Sequence, residues 1–162
     1  MRKIWKRVLA VLAAGALILA CAACSGGNEN ADVTLDVGAL ADRLASELTF
    51  QDQLTALEGD AGLNIYGLDS STVAQHKVYV STGATAEEIA VFEAVSTEAA
   101  ASIEEAVNQR VADQKAAFED YQPKEMTKLN DPLVDVMGKY VILCLSDDNS
   151  AAQAIIDEAA GR

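Results

Sequence analysis

The clearest hydrophobic pattern of the chain lies between residues 83 and 121. From Ala100 onward, one set of positions recurs at steps of three and four residues: Ala100, Ile103, Val107, Val111, Gln114, Phe118 and Tyr121. This spacing places the set on one face of an α-helix, and polar residues such as Glu105 and Asn108 fall on the other face. The pattern predicts a long amphipathic helix that ends before Pro123, because the residue preceding a proline avoids helical backbone angles.

The segment directly before this helix has two interpretations. Thr85 followed by Glu88 matches a capping box, which would start one unbroken helix there. The residues from 89 to 95 are instead mostly β-branched or aromatic, which favours a strand, and Ser96 offers a separate N-cap. We predict a strand over residues 88–95, followed by the helix.

The elements before this pair are predicted from shorter patterns. Asp36 can cap a first helix with an apolar stripe, and residues 51–57 are expected to add a further helical turn. Leu63, Ile65 and Leu68 alternate between glycines, which indicates a short extended piece. Residues 76–82 have the alternation of a strand.

The C-terminal part predicts a hairpin and a last helix. Two apolar runs, 133–137 and 140–146, flank Gly138 and Lys139, and a glycine at the first loop position fits a two-residue turn. Asn149 or Ser150 can cap the final helix. Together the elements predict an α+β domain: a small, mostly antiparallel sheet of about four strands, with the long amphipathic helix and N- and C-terminal helices packed on it.

The first 23 residues have the pattern of a lipoprotein signal peptide. Basic residues at positions 2–7 precede a charge-free run, 8–20, that is too short for a comfortable membrane span. Small residues then precede two cysteines, and a lipoprotein signal peptidase cuts directly before an acylated cysteine. Cys24 follows two alanines and precedes a flexible Ser-Gly-Gly segment, whereas Cys21 has the usual aliphatic residue three positions upstream. We predict acylation at Cys24, with Cys21 as the alternative.

The predicted lipoprotein signal divides the chain into three parts. Residues 1–23 are the predicted signal peptide, residues 24–34 a lipid-anchored flexible tether, and residues 35–162 a single domain of ordinary size. The expected location is the extracytoplasmic face of the cell membrane, held by fatty-acyl chains such as palmitate. The other interpretation is an ordinary secreted protein that is cut at an Ala-x-Ala-like site.

The net charge of the chain excludes some classes of binding partner. The full sequence has 12 basic and 25 acidic residues, and four of the basic residues lie in the predicted signal. The mature chain therefore keeps eight basic residues against 25 acidic ones, a net charge of −17. Such a surface repels nucleic acid and anionic headgroups. We expect no nucleic-acid partner, contact with the bilayer only through the acylated cysteine, and an unidentified envelope protein as the remaining candidate partner.

Several stretches together resemble an uncharacterised family of bacterial lipoproteins of the Gram-positive type. The stretches are residues 79–84, 86–92 and 109–123, followed by 138–143 and 146–148. With the signal they cover most of the chain. The shared domain of that family has no known function, so the resemblance implies a short strand at residues 88–95 but no activity, ligand or catalytic residue.

The residues that could carry chemistry are few. His76 is the only histidine, and no nucleophile motif lies near it, so we predict no catalytic residue. One histidine and so few cysteines predict no metal site and no cofactor. Cys144 lies in an apolar run and is expected to be a buried core residue. Glu87 and Glu88 would point to opposite faces of a strand, which is poor for joint acid–base work.

One loop remains a candidate for interaction. Tyr121 and Pro123 follow the long helix, and a tyrosine there is expected to close over the core; the alternative is an interaction loop, since amphipathic aromatic residues also mark interfaces. The sequence therefore predicts a binding or interaction role for a membrane-anchored lipoprotein and not an enzyme. The alternative function is an envelope-acting hydrolase that uses carboxylates only.

Overall fold

An antiparallel sheet of five strands organises residues 33–162, the part of the chain that this computed structural model describes. The strands are β1 (Thr55–Ala56), β2 (Val73–Val80), β3 (Glu88–Ala94), β4 (Leu133–Met137) and β5 (Tyr140–Leu145). Their order across the sheet is β1-β2-β3-β5-β4. The α+β class is confirmed, but the described region has five strands and not about four.

The predicted signal peptide lies outside the described residues. The same holds for both candidate acylation sites, Cys21 and Cys24, and for residues 24–32 of the predicted tether. The predictions made for that part of the chain remain predictions.

The additional strand, β1, is a short edge that pairs Thr55 with Val80 and Ala56 with Tyr79. The helical turn expected over residues 51–57 is wrong. The backbone N–H groups of Gln51 and Asp52 instead donate to the carboxylate of Glu87, each at 2.9 Å. Because this partner lies 36 and 35 residues further along the chain, no local pattern could reveal it.

The strands β3 and β5 form the centre of the sheet. Every residue of both strands is buried, as expected for strands covered on both faces, and Val91 lies opposite Ile142 in their antiparallel register. The predicted strand over residues 88–95 is confirmed and ends at Ala94. The predicted hairpin is also confirmed: β4 leads into β5 through a turn in which Gly138 has φ 58°.

The long helix α3 (Thr97–Phe118) covers one face of the sheet. Ser96 caps it, accepting a hydrogen bond from the N–H of Ala99 at 3.2 Å, so the separate N-cap is confirmed. The buried residues of the helix are Ala100, Ile103, Val107, Val111, Gln114 and Phe118. They are the predicted apolar face without Tyr121, and all of them except Gln114 pack in one cluster with Ala90 and Phe92 of β3.

Two helices cover the other face. They are α1 (Val37–Glu47), which Asp36 caps as predicted, and α5 (Asn149–Ala160). Both pack against the β3 side chains that point away from α3, Ile89 and Val91. The predicted cap of the last helix is wrong by one residue, because Asp148 accepts the hydrogen bond from Ala151 N–H at 2.9 Å.

The extended piece predicted around Leu63 is a short helix, α2 (Ala61–Tyr66). Its buried side chains, Leu63 and Tyr66, are three residues apart and face the core beneath α3. Gly67, with φ 63°, ends the helix in the left-handed conformation that glycine favours. Between α3 and β4 the chain adds a 3₁₀ turn (Pro123–Glu125) and the short helix α4 (Met126–Asn130).

Candidate functional site

A cavity of about 360 Å³ opens beside the C-terminal half of α3. Its other walls come from the end of β2, the loop between β2 and β3, and α2. We call it the α3 pocket, and its lining residues are Leu57, Ile65, Val80, Ser81, Thr82, Gly83, Thr85, Glu87, Glu88, Arg110, Asp113, Gln114, Ala117 and Phe118. Its volume lies at the lower end of the range found for small-molecule sites.

The floor of the α3 pocket contains a buried carboxylate, Glu88, at the first position of β3. Its Oε1 accepts hydrogen bonds from Tyr66 Oη at 2.5 Å and Arg110 Nε at 3.2 Å. Its Oε2 accepts from Arg110 Nη2 at 2.8 Å and Gln114 Nε2 at 2.7 Å. Four donors from two helices therefore converge on one side chain, so Glu88 is held in place and has little capacity for a further donor.

Tyr66 is a fixed donor in this network. Burial raises the pKa of its hydroxyl well above the ordinary value, and the charge of Glu88 and the hydrogen bond to it raise the pKa further. Its ring packs edge-on against Phe92, with centroids 5.1 Å apart. A phenol held in this way stays protonated at neutral pH, so Tyr66 positions Glu88 and does not act as a base or nucleophile.

Arg110 supplies the positive charge of the α3 pocket. Burial opposes its charge, but the hydrogen bonds and charge of Glu88 outweigh this effect and raise its pKa above an already high value. Glu88 occupies the Nε–Nη2 edge of the guanidinium, whereas Nη1 makes no hydrogen bond to any residue between 33 and 162. Because a guanidinium is planar and rigid, the hydrogen bonds to Glu88 also fix the direction in which the N–H groups of Nη1 point.

A second buried network stands behind the loop between β2 and β3. The Lys128 ammonium of α4 lies 3.0 Å from Glu125 and 3.5 Å from Glu87. Besides the N–H groups of Gln51 and Asp52, Glu87 accepts from Thr85 Oγ1 at 3.0 Å, and Glu125 accepts from Ala86 N–H at 2.9 Å. These bonds tie the pocket wall to α4 and to the segment before β1.

Lys128 is itself a structural cation. Its side chain is 2% exposed, and burial lowers its pKa, but the hydrogen bond to Glu125 and the charges of Glu87, Glu125 and Asp147 raise the pKa above the ordinary value overall. An ammonium stabilised in this way remains protonated, so it is not a nucleophilic amine.

The structure separates most of the residues singled out from the sequence. Tyr121 is 66% exposed, so the expectation that it closes over the core is wrong. Since α3 ends at Phe118 and the chain turns before the exposed Pro123, Tyr121 leaves the buried face. Its ring lies beside that of Phe118, with the two centroids 6.1 Å apart.

The lone histidine and the described cysteine are not part of the α3 pocket. His76 lies on β2, with Nε2 3.1 Å from the carbonyl oxygen of Gly59 and its ring stacked 6.4 Å from Phe92. Cys144 is fully buried in β5, as predicted. Between residues 33 and 162, no group of three or more His, Cys, Asp or Glu residues is arranged to hold a metal ion.

Sequence reasoning missed Arg110 and Tyr66 and did not assign a partner to Gln114. One signal for them was present: Gln114 occupies a position in the apolar stripe of α3, and a buried amide needs a hydrogen-bond partner. Arg110 is four residues earlier on the same helix, one turn away. Their common partner, Glu88, lies in a different element, so the pattern of one helix could not name it.

A family model for a domain of unknown function, DUF4358, matches residues 47–146. The chain belongs to this family. The DUF4358 match includes every strand of the sheet and every residue that lines the α3 pocket, and it ends before α5. Comparison with curated proteins and with solved structures gives no significant match. In the described part of this DUF4358 chain, no helix is both long and apolar enough to cross a membrane.

Proposed function

We propose that the protein is an extracytoplasmic lipoprotein of the Gram-positive type, anchored through Cys24 or, failing that, Cys21, whose domain binds a ligand in the α3 pocket. The observation that carries the binding role is the construction of this pocket. Apolar walls surround a floor on which the buried Glu88 orients Arg110 through two hydrogen bonds. A cavity with mostly apolar walls and a few fixed polar groups is typical of small-molecule binding sites.

The same geometry speaks against the carboxylate-only hydrolase. The lining includes three carboxylates, and those of Glu87 and Glu88 already accept hydrogen bonds from backbone and side-chain donors. Asp113 is left as the one lining carboxylate with an oxygen that accepts no hydrogen bond from residues 33–162, and a single carboxylate cannot supply both the acid and the base. A catalytic acid and base need a proton and a lone pair that are available to the substrate. Tyr66, Arg110 and Lys128 are held in their protonated forms, and the buried Glu125 already accepts hydrogen bonds from Ala86 N–H and Lys128. We therefore favour binding over catalysis.

The binding role is tested by filling the pocket from its rim. Ala117 lines the α3 pocket and is exposed, whereas its neighbour Ala116 is exposed and lies outside the lining. We expect full-length wild-type protein and the Ala116→Trp variant, extracted gently from their own membranes, to carry a co-purifying small ligand in native mass spectrometry. The Ala117→Trp variant should have lost that ligand while it keeps the far-ultraviolet circular dichroism spectrum of the wild type. Retention of the ligand by Ala117→Trp, or no ligand on any of the three proteins, would contradict the proposal.

The anchor is tested separately on the full chain. We expect the Cys24→Ala variant to leave the detergent phase in phase partitioning and to lose the mass of the acyl chains, and Cys21→Ala to behave as wild type. The opposite result would place the lipid on Cys21. If neither change releases the protein from the membrane, lipid anchoring at these residues is wrong.

A further inference from the structure

The charges around the α3 pocket favour a particular kind of ligand. Three charged side chains share its floor and rim: Glu88, Arg110 and Asp113. Arg110 is paired with Glu88, and Glu87, the remaining charged lining residue, faces Lys128 behind the wall. Asp113 is exposed one turn after Arg110 on α3 and accepts a hydrogen bond only from Gln109 among the described residues, at 2.8 Å to Oδ1. The charge of Asp113 helps to raise the pKa of Arg110, but Asp113 forms no ion pair within 4 Å among residues 33–162. The rim of the pocket therefore presents one exposed carboxylate that can still pair with a cation.

A ligand that carries only negative charge fits this arrangement poorly. It would meet Asp113 and the field of a mature chain whose net charge is −17. A positively charged amine is attracted to Asp113. The side-chain amide oxygen of Gln114, Oε1, accepts no hydrogen bond from residues 33–162 and can accept from the same amine. The rim of the α3 pocket thus has the chemistry of an amine site.

The free end of Arg110 adds a second requirement. Glu88 holds the Nε–Nη2 edge, so the Nη1 end can donate to an oxygen of a bound molecule. Arg110 and Asp113 are three residues apart on one helix, which makes them neighbours on its surface. A molecule that bridges them needs an amine and an oxygen acceptor separated by only a few bonds.

The walls of the α3 pocket determine the polarity and size of the remaining part of the ligand. Leu57, Ile65, Val80 and Phe118 are apolar, and Ile65 is 37% exposed beside the opening. These side chains favour a compact apolar group over a polar one, because burial of apolar surface is favourable. The volume of about 360 Å³ excludes a large ligand.

We propose that the α3 pocket binds a small apolar molecule that carries an amine and a neighbouring carbonyl or carboxylate oxygen. This chemistry is shared by a free apolar amino acid and by the N-terminal residue of an apolar peptide. The amine contacts Asp113, the oxygen accepts from Arg110, and the side chain lies against Ile65, Val80 and Phe118. The inference rests on the proposed binding function and deepens it.

Three probes separate these requirements in isothermal titration of the full-length protein. Leucine has both charges, leucinamide keeps the amine and a carbonyl as a peptide N-terminus does, and N-acetylleucine lacks the amine. We expect leucine and leucinamide to bind, and N-acetylleucine to bind at least about tenfold more weakly, since one charge-assisted hydrogen bond is worth about that factor. Tighter binding of leucine would indicate a free amino acid as the ligand, and tighter or equal binding of leucinamide a peptide N-terminus.

A matched pair of variants locates the amine. Asp113→Asn should weaken leucinamide binding by about tenfold, whereas Asp120→Asn, at an exposed position outside the pocket lining, should leave it within about twofold. Equal binding of N-acetylleucine and leucinamide, or an unchanged affinity in Asp113→Asn, would overturn the amine assignment.

The two proposals can fail separately. If none of the three probes binds but Ala117→Trp still removes a co-purifying ligand, the ligand class is wrong and the binding function stands. If the probes do not bind and Ala117→Trp removes nothing, both proposals are wrong. If leucinamide binds equally well to wild type and to Ala117→Trp, its site lies elsewhere and the inference is wrong.

Discussion

Glu87 and Glu88 are adjacent in the chain, yet their carboxylates belong to different hydrogen-bond networks. Glu87 accepts from the backbone of Gln51 and Asp52 and lies near Lys128, whereas Glu88 accepts from side chains of α2 and α3. Neighbouring residues of an extended chain point to opposite faces, as the sequence predicted for this pair. The Glu87 carboxylate therefore stabilises the wall of the α3 pocket, and the Glu88 carboxylate lies in its floor.

Loss of the Glu88 carboxylate should strongly destabilise the protein. In Glu88→Ala, the buried hydroxyl of Tyr66 and the amide of Gln114 lose their acceptor, and Arg110 loses its counter-charge. We expect the free energy of unfolding, measured in urea, to fall by about 3 kcal/mol. The control is Glu105→Gln, at an exposed position of α3, the helix that carries Arg110 and Gln114; it should stay within about 0.5 kcal/mol of wild type. A loss below about 1 kcal/mol for Glu88→Ala would show that the network is not needed for stability.

Loss of the Lys128 ammonium should destabilise the protein about as strongly as loss of the Glu88 carboxylate, because Lys128 pairs with Glu87 in the wall of the α3 pocket. In Lys128→Met, the buried Glu87 and Glu125 keep their positions but lose the cation between them. We expect a loss of about 3 kcal/mol in the free energy of unfolding, because breaking a buried ion pair leaves an uncompensated charge. The same change at the exposed Lys124, in the preceding turn, should cost less than about 0.5 kcal/mol. Similar stabilities of the two variants would contradict this role.

Gly62 in α2 should not tolerate a side chain. A Cβ atom there would lie 3.0 Å from His76 Cδ2 and 3.0 Å from Val78 Cγ2. Although alanine favours a helix over glycine by about 1 kcal/mol, Val78 is fully buried and cannot move away easily. We expect Gly62→Ala to lower the thermal midpoint and to destabilise the protein by about 1–2 kcal/mol.

A second glycine serves as the control for this substitution. At Gly38 in α1, a Cβ would meet only Asp36 Oδ1, at an ordinary contact distance of 3.5 Å. Gly38→Ala should therefore stabilise the protein by about 0.5 kcal/mol. A gain in stability from Gly62→Ala would mean that α2 does not pack closely on β2.

Cys144 should be inert in the native state. Burial raises the pKa of its thiol from 9.0 to about 12, although a hydrogen bond with Ser146 opposes the rise, and only the thiolate reacts rapidly. We expect a bulky disulfide reagent to label wild type and Cys144→Ala equally under native conditions. In urea, wild type should gain one more labelled thiol than the variant. Rapid extra labelling of native wild type would place Cys144 at the surface.

The same thiol gives a dependence of stability on pH. Well below pH 9, Cys144 is protonated in both the native and the unfolded chain, so its contribution to stability is constant there. Between pH 9 and about 12, the unfolded chain releases the proton first, and stability falls as the pH rises. We therefore expect wild type to lose more unfolding free energy than Cys144→Ala between pH 8 and 10. Equal losses would mean that the thiol titrates alike in both states.

The pattern of apolar residues was sufficient to predict the elements with a strong local signal. The buried face of α3, the strand before it and the hairpin of β4 and β5 follow from spacings of three to four residues, β-branched composition and a turn glycine. These features depend on residues that are close together in the chain, so they can be predicted from a single sequence. The placement of Cys144 in the core followed from the same local pattern.

Local patterns failed where a distant partner decides the conformation. Residues 51–57 form no helix because Glu87 takes the N–H groups of Gln51 and Asp52. The helix α2 can lie close to β2 because Gly62 has no side chain. The α3 pocket needs Tyr66, Glu88, Arg110 and Gln114 from three separate elements. A hydrogen bond across 22 to 26 residues leaves no periodic trace, because each partner alone resembles an ordinary polar residue. Only packing of the helices on the sheet brings these side chains within 3.2 Å of one carboxylate, and the desolvation that comes with that packing makes their pairing necessary.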